Sequence, residues 1–222
     1  MSRKEYKTQN MFPVECFEFK APQELTSSVL SMCTSLKYQC FNVDAGVETS
    51  DDIHQDIHFQ ELHCWFQSCV DTLHVDLGWW CDRMVVNKTW VNKSTAKSHH
   101  HHSPHRHPMS YMSGIFYLTE GPPTVFLDPL QQREWGQLTL DGTVHRNEFF
   151  YHGGTGGLIL FPSWMIHASV PNDSDVDRYS IAFNTFPQGH INSGGWNLSM
   201  LNVDVNGWHT LNPLKLSDYA RD

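Results

Sequence analysis

Hydrophobic and polar positions change their period along this chain. Met11 to Phe19 (MFPVECFEF) alternates with a period near two, which predicts an opening strand. Leu25, Val29, Met32, Cys33 and Leu36 then recur at helical spacing, after a proline, Pro22, that a first helical turn tolerates. A polar stretch from Asp44 to Asp52 interrupts the pattern. Leu62, Trp65, Phe66, Cys69, Val70, Leu73 and Leu77 form the stripe of a second amphipathic helix, and Gly78 is placed to end it. From Arg83 the period becomes that of short strands: RMVVNKTWV, YMSGIFYL, TVFL, GLILF, MIHASV and RYSIAFN, divided by Gly, Pro, Asn and Asp. Two helices followed by an all-β region predict an α+β chain whose helices buttress an antiparallel barrel or sandwich.

A length of 222 residues suits one well-buried core, so a single domain is expected over 1–222. Within it, 11–82 form the N-terminal strand and helical buttress, 83–186 the β core, and 187–222 an appendage that could cover the barrel mouth. Hydrophobic residues make up 40% of the chain and aromatics 13%, far from the composition of disorder. The formal charge of −9 and the lack of a basic run disfavour a general phosphate-backbone binder. Cys16, Cys33, Cys40, Cys64, Cys69 and Cys81 form no CxxC pair and read as reduced packing residues. Asn87, Asn92, Asn172 and Asn197 open glycosylation sequons, but the start MSRKEYKTQN has no apolar run, so these are discounted and a cytoplasmic location is expected. No stretch has the length and apolarity of a membrane span. The oligomeric state is open, a dimer being one option.

The histidines carry the candidate chemistry. The run His99 to His102 reads as a solvated loop with adventitious metal affinity, His102 being nearest to the pair His105 and His107. That pair differs from the run, because residues two apart on an extended segment project to one face and can occupy adjacent positions on one metal. Sixty residues on, Phe161-Pro-Ser-Trp-Met-Ile-His167 reads as a strand, a turn and a histidine opening the next strand. An antiparallel barrel would return such a third ligand to the same place. On RYSIAFN, alternation puts Arg178 and Ser180 on one face. A guanidinium inside a barrel needs an anion: a dicarboxylate cosubstrate whose far carboxylate takes the Arg178 fork and the Ser180 hydroxyl would satisfy it. The bland alternative is a surface Arg178 paired with Asp175 or Asp177. Gly153-Gly-Thr-Gly-Gly157 has no following lysine or helix and reads as a turn.

Taken together, Thr89-Trp-Val-Asn92, His105-Arg-His-Pro-Met-Ser-Tyr-Met-Ser-Gly-Ile-Phe-Tyr-Leu118, Phe126-Leu-Asp-Pro129, Gly157-Leu-Ile-Leu-Phe-Pro-Ser-Trp-Met-Ile-His167 and Arg178-Tyr-Ser-Ile-Ala-Phe-Asn184 resemble the iron(II)- and 2-oxoglutarate-dependent dioxygenases. Within them the pattern is similar to a group of bacterial and phage members. The resemblance runs from Met11-Phe-Pro13 to about Phe186. It implies a double-stranded β-helix, the jelly-roll or cupin-like barrel, with Fe(II), 2-oxoglutarate and O2 as cofactors. His105 and His167 fall on its first and last ligand positions, Arg178 on its 2-oxoglutarate arginine and Ser180 on the accompanying hydroxyl. Tyr117 falls where relatives use a tyrosine to hydrogen-bond the cosubstrate. One departure is visible: the wider family has His-x-Asp or His-x-Glu where this chain has His107. Asp128 is the carboxylate to examine as a substitute, although an Asp before Pro also suits a turn.

The expected reaction oxidises a substrate, by hydroxylation, with release of succinate and carbon dioxide. The substrate stays open between a small molecule and a protein side chain, and Trp90, Tyr111, Trp135 and Trp164 are candidates to line its pocket. Two rivals share the fold: a cupin-like three-histidine dioxygenase that does not use 2-oxoglutarate, and a non-catalytic barrel that binds a metal or ligand.

Overall fold

The computed structural model describes residues 7, 13–40, 46–129, 148–192 and 201–205. Strand β1 (Phe17–Lys20) leads to helix α1 (Gln23–Cys33), strands β2 (Tyr38–Cys40) and β3 (Glu48–Ser50), a 3-10 turn at Ile57–Phe59 and helix α2 (Gln60–Leu77). Eight further strands follow: β4 (Arg83–Ser94), β5 (Met112–Tyr117), β6 (Thr124–Leu127), β7 (Glu148–Tyr151), β8 (Gly157–Pro162), β9 (His167–Ser169), β10 (Arg178–Ile191) and β11 (Leu201–Val203).

The main sheet has the order β1-β8-β5-β10-β4-β3-β2, with β11 added to the far end of β10, and the minor sheet has the order β7-β6-β9. The segment 100–107 extends the minor sheet beyond β9. His105 and His167 exchange both backbone hydrogen bonds, the His102 carbonyl accepts from the Ser169 N–H, and the Ser163 carbonyl accepts from the His107 N–H. Counting that segment, the chain from β4 to β10 visits the sheets in the order main, minor, main, minor, minor, main, minor, main. This is a double-stranded β-helix: two facing antiparallel sheets whose inner faces enclose a narrow interior.

Strand alternation divides the core in two. Phe116, Leu118, Leu158, Leu160, Ile181 and Phe183 leave the outer face of the main sheet and pack with Leu62, Phe66, Cys69, Val70 and Leu73 of α2 and Leu25, Val29 and Cys33 of α1. Ile115, Tyr117, Ile159, Phe161, Phe126 and Met165 fill the space between the sheets. Each large apolar side chain so buried contributes about 1.5–3 kcal/mol. A polar lock fixes α2: the Gln67 amide donates to the Met84 carbonyl at 2.8 Å and accepts from the Val86 N–H at 2.9 Å, and Asp71 pairs with Arg83. At Asn184/Thr185 the β10–β4 register shifts past Asn87, so Lys88, Trp90, Asn92 and Ser94 turn to the sheet face opposite Val86 and Met84.

Several boundaries differ from the hydrophobic pattern. The described part of the opening strand begins at Phe17, and residues 11 and 12 lie outside the described residues. Continuing the β1–β8 register would set Glu15 opposite Pro162, which has no N–H to give. Helix α1 ends at Cys33 with Thr34 as its cap, so Leu36 packs on the core from the turn beyond. The polar stretch holds β3, an added strand beside β4. Trp135 and most of the C-terminal appendage lie outside the described residues. No helix of the described residues is long and apolar enough to cross a membrane.

His63 of α2 is 4% exposed, neither of its ring nitrogens has a hydrogen-bond partner among the described residues, and the His54 ring lies 5.3 Å away. Burial first, and His54 second, push its pKa from 6.5 down to about 4. The folded protein therefore holds the neutral ring while the unfolded chain protonates near 6.5. The His63 contribution is complete above that pH and is lost as pH falls toward about 4, a loss on the order of 2–3 kcal/mol. Urea denaturation at pH 7.5 and pH 4.5 is expected to give a smaller acid loss for His63→Leu than for the wild type; an equal loss in both would contradict this.

Candidate metal and cosubstrate site

Three inner rungs of the main sheet set out the cavity. Lys88, Asn184 and Ser113 face one another across β4, β10 and β5; Trp90, Ala182 and Ile115 form the next rung; Asn92, Ser180 and Tyr117 the third; and Arg178, opposite Ser94, lies one step further. The minor sheet supplies the facing wall through His102, His105, Thr124, His167 and Ser169.

The ligating atoms of His105, His107 and His167 lie within 4.8 Å of one another, and among the described residues no other group of three or more His, Cys, Asp or Glu comes together in this way. Asp128 is thus not part of the cluster. The backbone pair between His105 and His167 brings their rings to 4.3 Å between centroids, and His107 lies 5.3 Å from His105 and 5.0 Å from His167. Each ring has an outward acceptor for its Nδ1: the Ser103 carbonyl at 2.8 Å for His105, the Asn184 side-chain oxygen at 2.7 Å for His107, and the Met165 carbonyl at 3.1 Å for His167. A carbonyl only accepts, so these contacts place the ring hydrogen on Nδ1 and leave each Nε2 with a free lone pair. The Ser113 hydroxyl also reaches the His107 Nδ1, at 3.0 Å. Burial pushes His167 down to about 3 and His107 to about 4, with the neighbouring rings adding to the effect, so both are neutral at physiological pH. Three imidazoles with convergent Nε2 atoms can hold a divalent transition metal.

At the other end of the cavity, Arg178 is 4% exposed and has neither hydrogen bond nor ion pair among the described residues. Its companions Asp175 and Asp177 are otherwise engaged: Asp175 pairs with Lys97, while Asp177 accepts from the Ala96 N–H at 2.9 Å and lies 3.6 Å from Lys93. The Arg178 guanidinium instead lies 5.5 Å from the centre of the Tyr117 ring. An enclosed cation without a counter-charge is costly, and an anionic ligand relieves it. The Ser180 hydroxyl, equally enclosed, is also without a partner among the described residues.

Tyr117 stands under Arg178, and its hydroxyl bonds the Thr124 hydroxyl at 2.7 Å. Thr124, rather than Tyr117, reaches the cavity wall. A Cβ on Gly153 would come within 2.0 Å of the Tyr117 ring, so the glycine-rich turn closes this end of the barrel by lacking a side chain there. Trp90 lines the cavity with its ring 5.5 Å from His107. Tyr111 and Trp164 line a separate open cleft of about 630 Å³ that His107 borders, with Met109 and Trp79. Asn184 and Ser113, which hold His107, were not singled out in the sequence; Asn184 follows from the alternation that put Arg178 and Ser180 on one face, whereas Ser113 is set opposite it by the pairing of β5 with β10.

Residues 88–184 match a protein-family model described as "Putative 2OG-Fe(II) oxygenase", a span that holds all three histidines, Arg178 and Ser180. No curated protein matches the chain by sequence. Solved structures with the same fold include SnoN, a non-heme α-ketoglutarate-dependent epimerase from nogalamycin biosynthesis (TM-score 0.61, 11% identity, 85% of this chain and 88% of the other). HygX from Streptomyces hygroscopicus, solved with nickel and 2-oxoglutarate, has a TM-score of 0.56 at 13% identity over 86% and 93% of the two chains. A Pseudomonas putida prolyl-4-hydroxylase has a TM-score of 0.57 at 12% identity over 79% and 94%. At such identities the likeness to solved structures speaks for the fold, and residues 88–184, a little under half of the chain, are what resembles the 2OG-Fe(II) oxygenases in sequence.

Proposed function

We propose that His105, His107 and His167 hold the Fe(II) of this oxygenase, and that Arg178 with Ser180 receives the far carboxylate of 2-oxoglutarate, all within one domain. The observation that carries the reading is the unpartnered Arg178 guanidinium on the wall of the same cavity that the three histidines close. Bound Fe(II), with 2-oxoglutarate and O2, supplies the oxidising chemistry that yields succinate and carbon dioxide and hydroxylates a substrate.

The chain's own share is placement. The Nδ1 acceptors orient three imidazoles before any metal arrives, which lowers the reorganisation needed on binding. Tyr117 supports the guanidinium from below, so its fork is aimed and not merely present. Ile115 and Ala182, on the middle rung, keep the space between metal and arginine apolar, so the carboxylate at Arg178 is held where water competes poorly. The open cleft with Tyr111, Trp164 and Met109 is the route by which a substrate would reach His107; the substrate is a small molecule or a protein side chain.

The all-imidazole ligand set favours one rival, a three-histidine dioxygenase without 2-oxoglutarate, in which Arg178 would meet a substrate carboxylate. Succinate release from protein supplied with Fe(II), 2-oxoglutarate and air decides between them. Formation of succinate, with a KM for 2-oxoglutarate raised about 30-fold or more in Arg178→Ala, is expected from the loss of one partner of an enclosed charge pair. Oxygen uptake without succinate, or an unchanged KM in Arg178→Ala, would contradict the assignment.

Metal content after dialysis tests the ligand set separately. His167→Ala is expected to lose stoichiometric Fe(II) while Asp128→Ala retains it; the reverse pattern would move the third ligand to Asp128.

A further inference from the structure

The four-histidine run is not one feature. The His99 ring pairs with Asp173 at the surface, the His101 Nδ1 turns back to the His99 carbonyl, and the His100 ring packs over Gly46. His102 alone lines the interior cavity, with its ring 5.5 Å from that of His105.

Its placement follows from a local irregularity. Going from His167 to Ser169, β9 advances two residues, while the facing segment advances three, from His105 back to His102. The extra residue falls at Ser103-Pro104, where a proline removes one N–H from the ladder. Strict alternation would send positions three apart to opposite faces; the bulge resets it, so both imidazoles reach the interior. The His102 backbone is fixed there from both sides, its N–H donating to the Ser169 hydroxyl at 2.8 Å and its carbonyl accepting from the Ser169 N–H at 3.1 Å. Its ring nitrogens, by contrast, have no hydrogen-bond partner among the described residues.

Beside the Nε2 atoms of the histidine cluster, the cavity presents the Arg178 fork and the Ser180 hydroxyl from the main sheet and the His102 imidazole from the minor sheet opposite, none with a hydrogen-bond partner among the described residues. We propose that His102 is a cosubstrate-binding residue that hydrogen-bonds a carboxylate oxygen of 2-oxoglutarate from the wall facing Arg178, so that the two sheets clamp the ligand between them. This rests on the assignment of Arg178 and Ser180 to the cosubstrate and adds a residue to it. An imidazole offers one N–H whichever ring nitrogen bears the hydrogen, which is what a carboxylate oxygen accepts.

Calorimetric titration of 2-oxoglutarate into the Ni(II)-loaded protein tests it without turnover. His102→Phe keeps the volume without a donor, His102→Leu is a second donor-free variant, and His102→Asn restores an N–H. Both donor-free variants are expected to bind 2-oxoglutarate about tenfold or more weakly, the effect of one hydrogen bond to a charged group, with His102→Asn within about threefold of wild type. Ni(II) stoichiometry is expected to stay at one in all three. Wild-type affinity in either donor-free variant would overturn the proposal, as would loss of Ni(II), which would make His102 a metal ligand or a structural support. If the wild type itself binds no 2-oxoglutarate, the cosubstrate assignment fails first, a result distinct from a failure at His102.

Discussion

The backbone pair between His105 and His167 is the contact on which the site depends. Both of its hydrogen bonds are 2.9 Å long, and it joins residues separated by the whole stretch from β5 to β8. Because the pair sits at the end of β9, it sets the facing segment in register, with His107 bonded to Ser163 on one side and His102 to Ser169 on the other. A slip of one residue would turn every inward ring outward, since the side-chain period of a strand is two. The imidazole cluster is therefore a consequence of sheet register more than of local loop shape. The same register delivers Phe126 and Phe161 against the His167 ring, giving the cluster one apolar wall.

A second constraint comes from charge. The interior carries one guanidinium, and the acids nearest to it in sequence are held by lysines or backbone amides outside the cavity. Among the described residues the enclosed cation thus has no internal counter-charge, which is the physical reason to propose an anionic ligand there. With imidazoles and no carboxylate among the described residues lining the other end, the cavity is electropositive, and would be more so with a divalent ion bound. Where the wider family's pattern has His-x-Asp or His-x-Glu, this chain has His107, whose Nδ1 is held by Asn184 and Ser113. A dianionic cosubstrate suits such a site better than a neutral ligand does.

Much of this was legible in the sequence because strand alternation is a strict rule. The period of two placed Arg178 and Ser180 on one face, and His105 and His107 were read together for the same reason. His102 was not, because the residue that resets its face, within Ser103-Pro104, has meaning only once the partner strand is known. The strands β2, β3 and β7 were missed for a related reason. They are short, lie toward the sheet edges and owe their conformation to neighbours more than to their own composition. The Tyr117 hydroxyl, which the resemblance assigned to the cosubstrate, is engaged with Thr124, a contact that depends on which minor-sheet strand faces β5. Element ends likewise depended on partners: β1 starts where β8 can pair with it, and α1 stops before Leu36.

The central claim is that the three histidines and Arg178 form one site, occupied together by metal and 2-oxoglutarate. Its most direct test is the absorption spectrum of the purified protein under anaerobic conditions as Fe(II) and then 2-oxoglutarate are added. A visible charge-transfer band that needs both additions, saturates at one equivalent of each and is absent in His167→Ala is the expected result. No band with both present, or a band that persists without the histidine cluster, would contradict it.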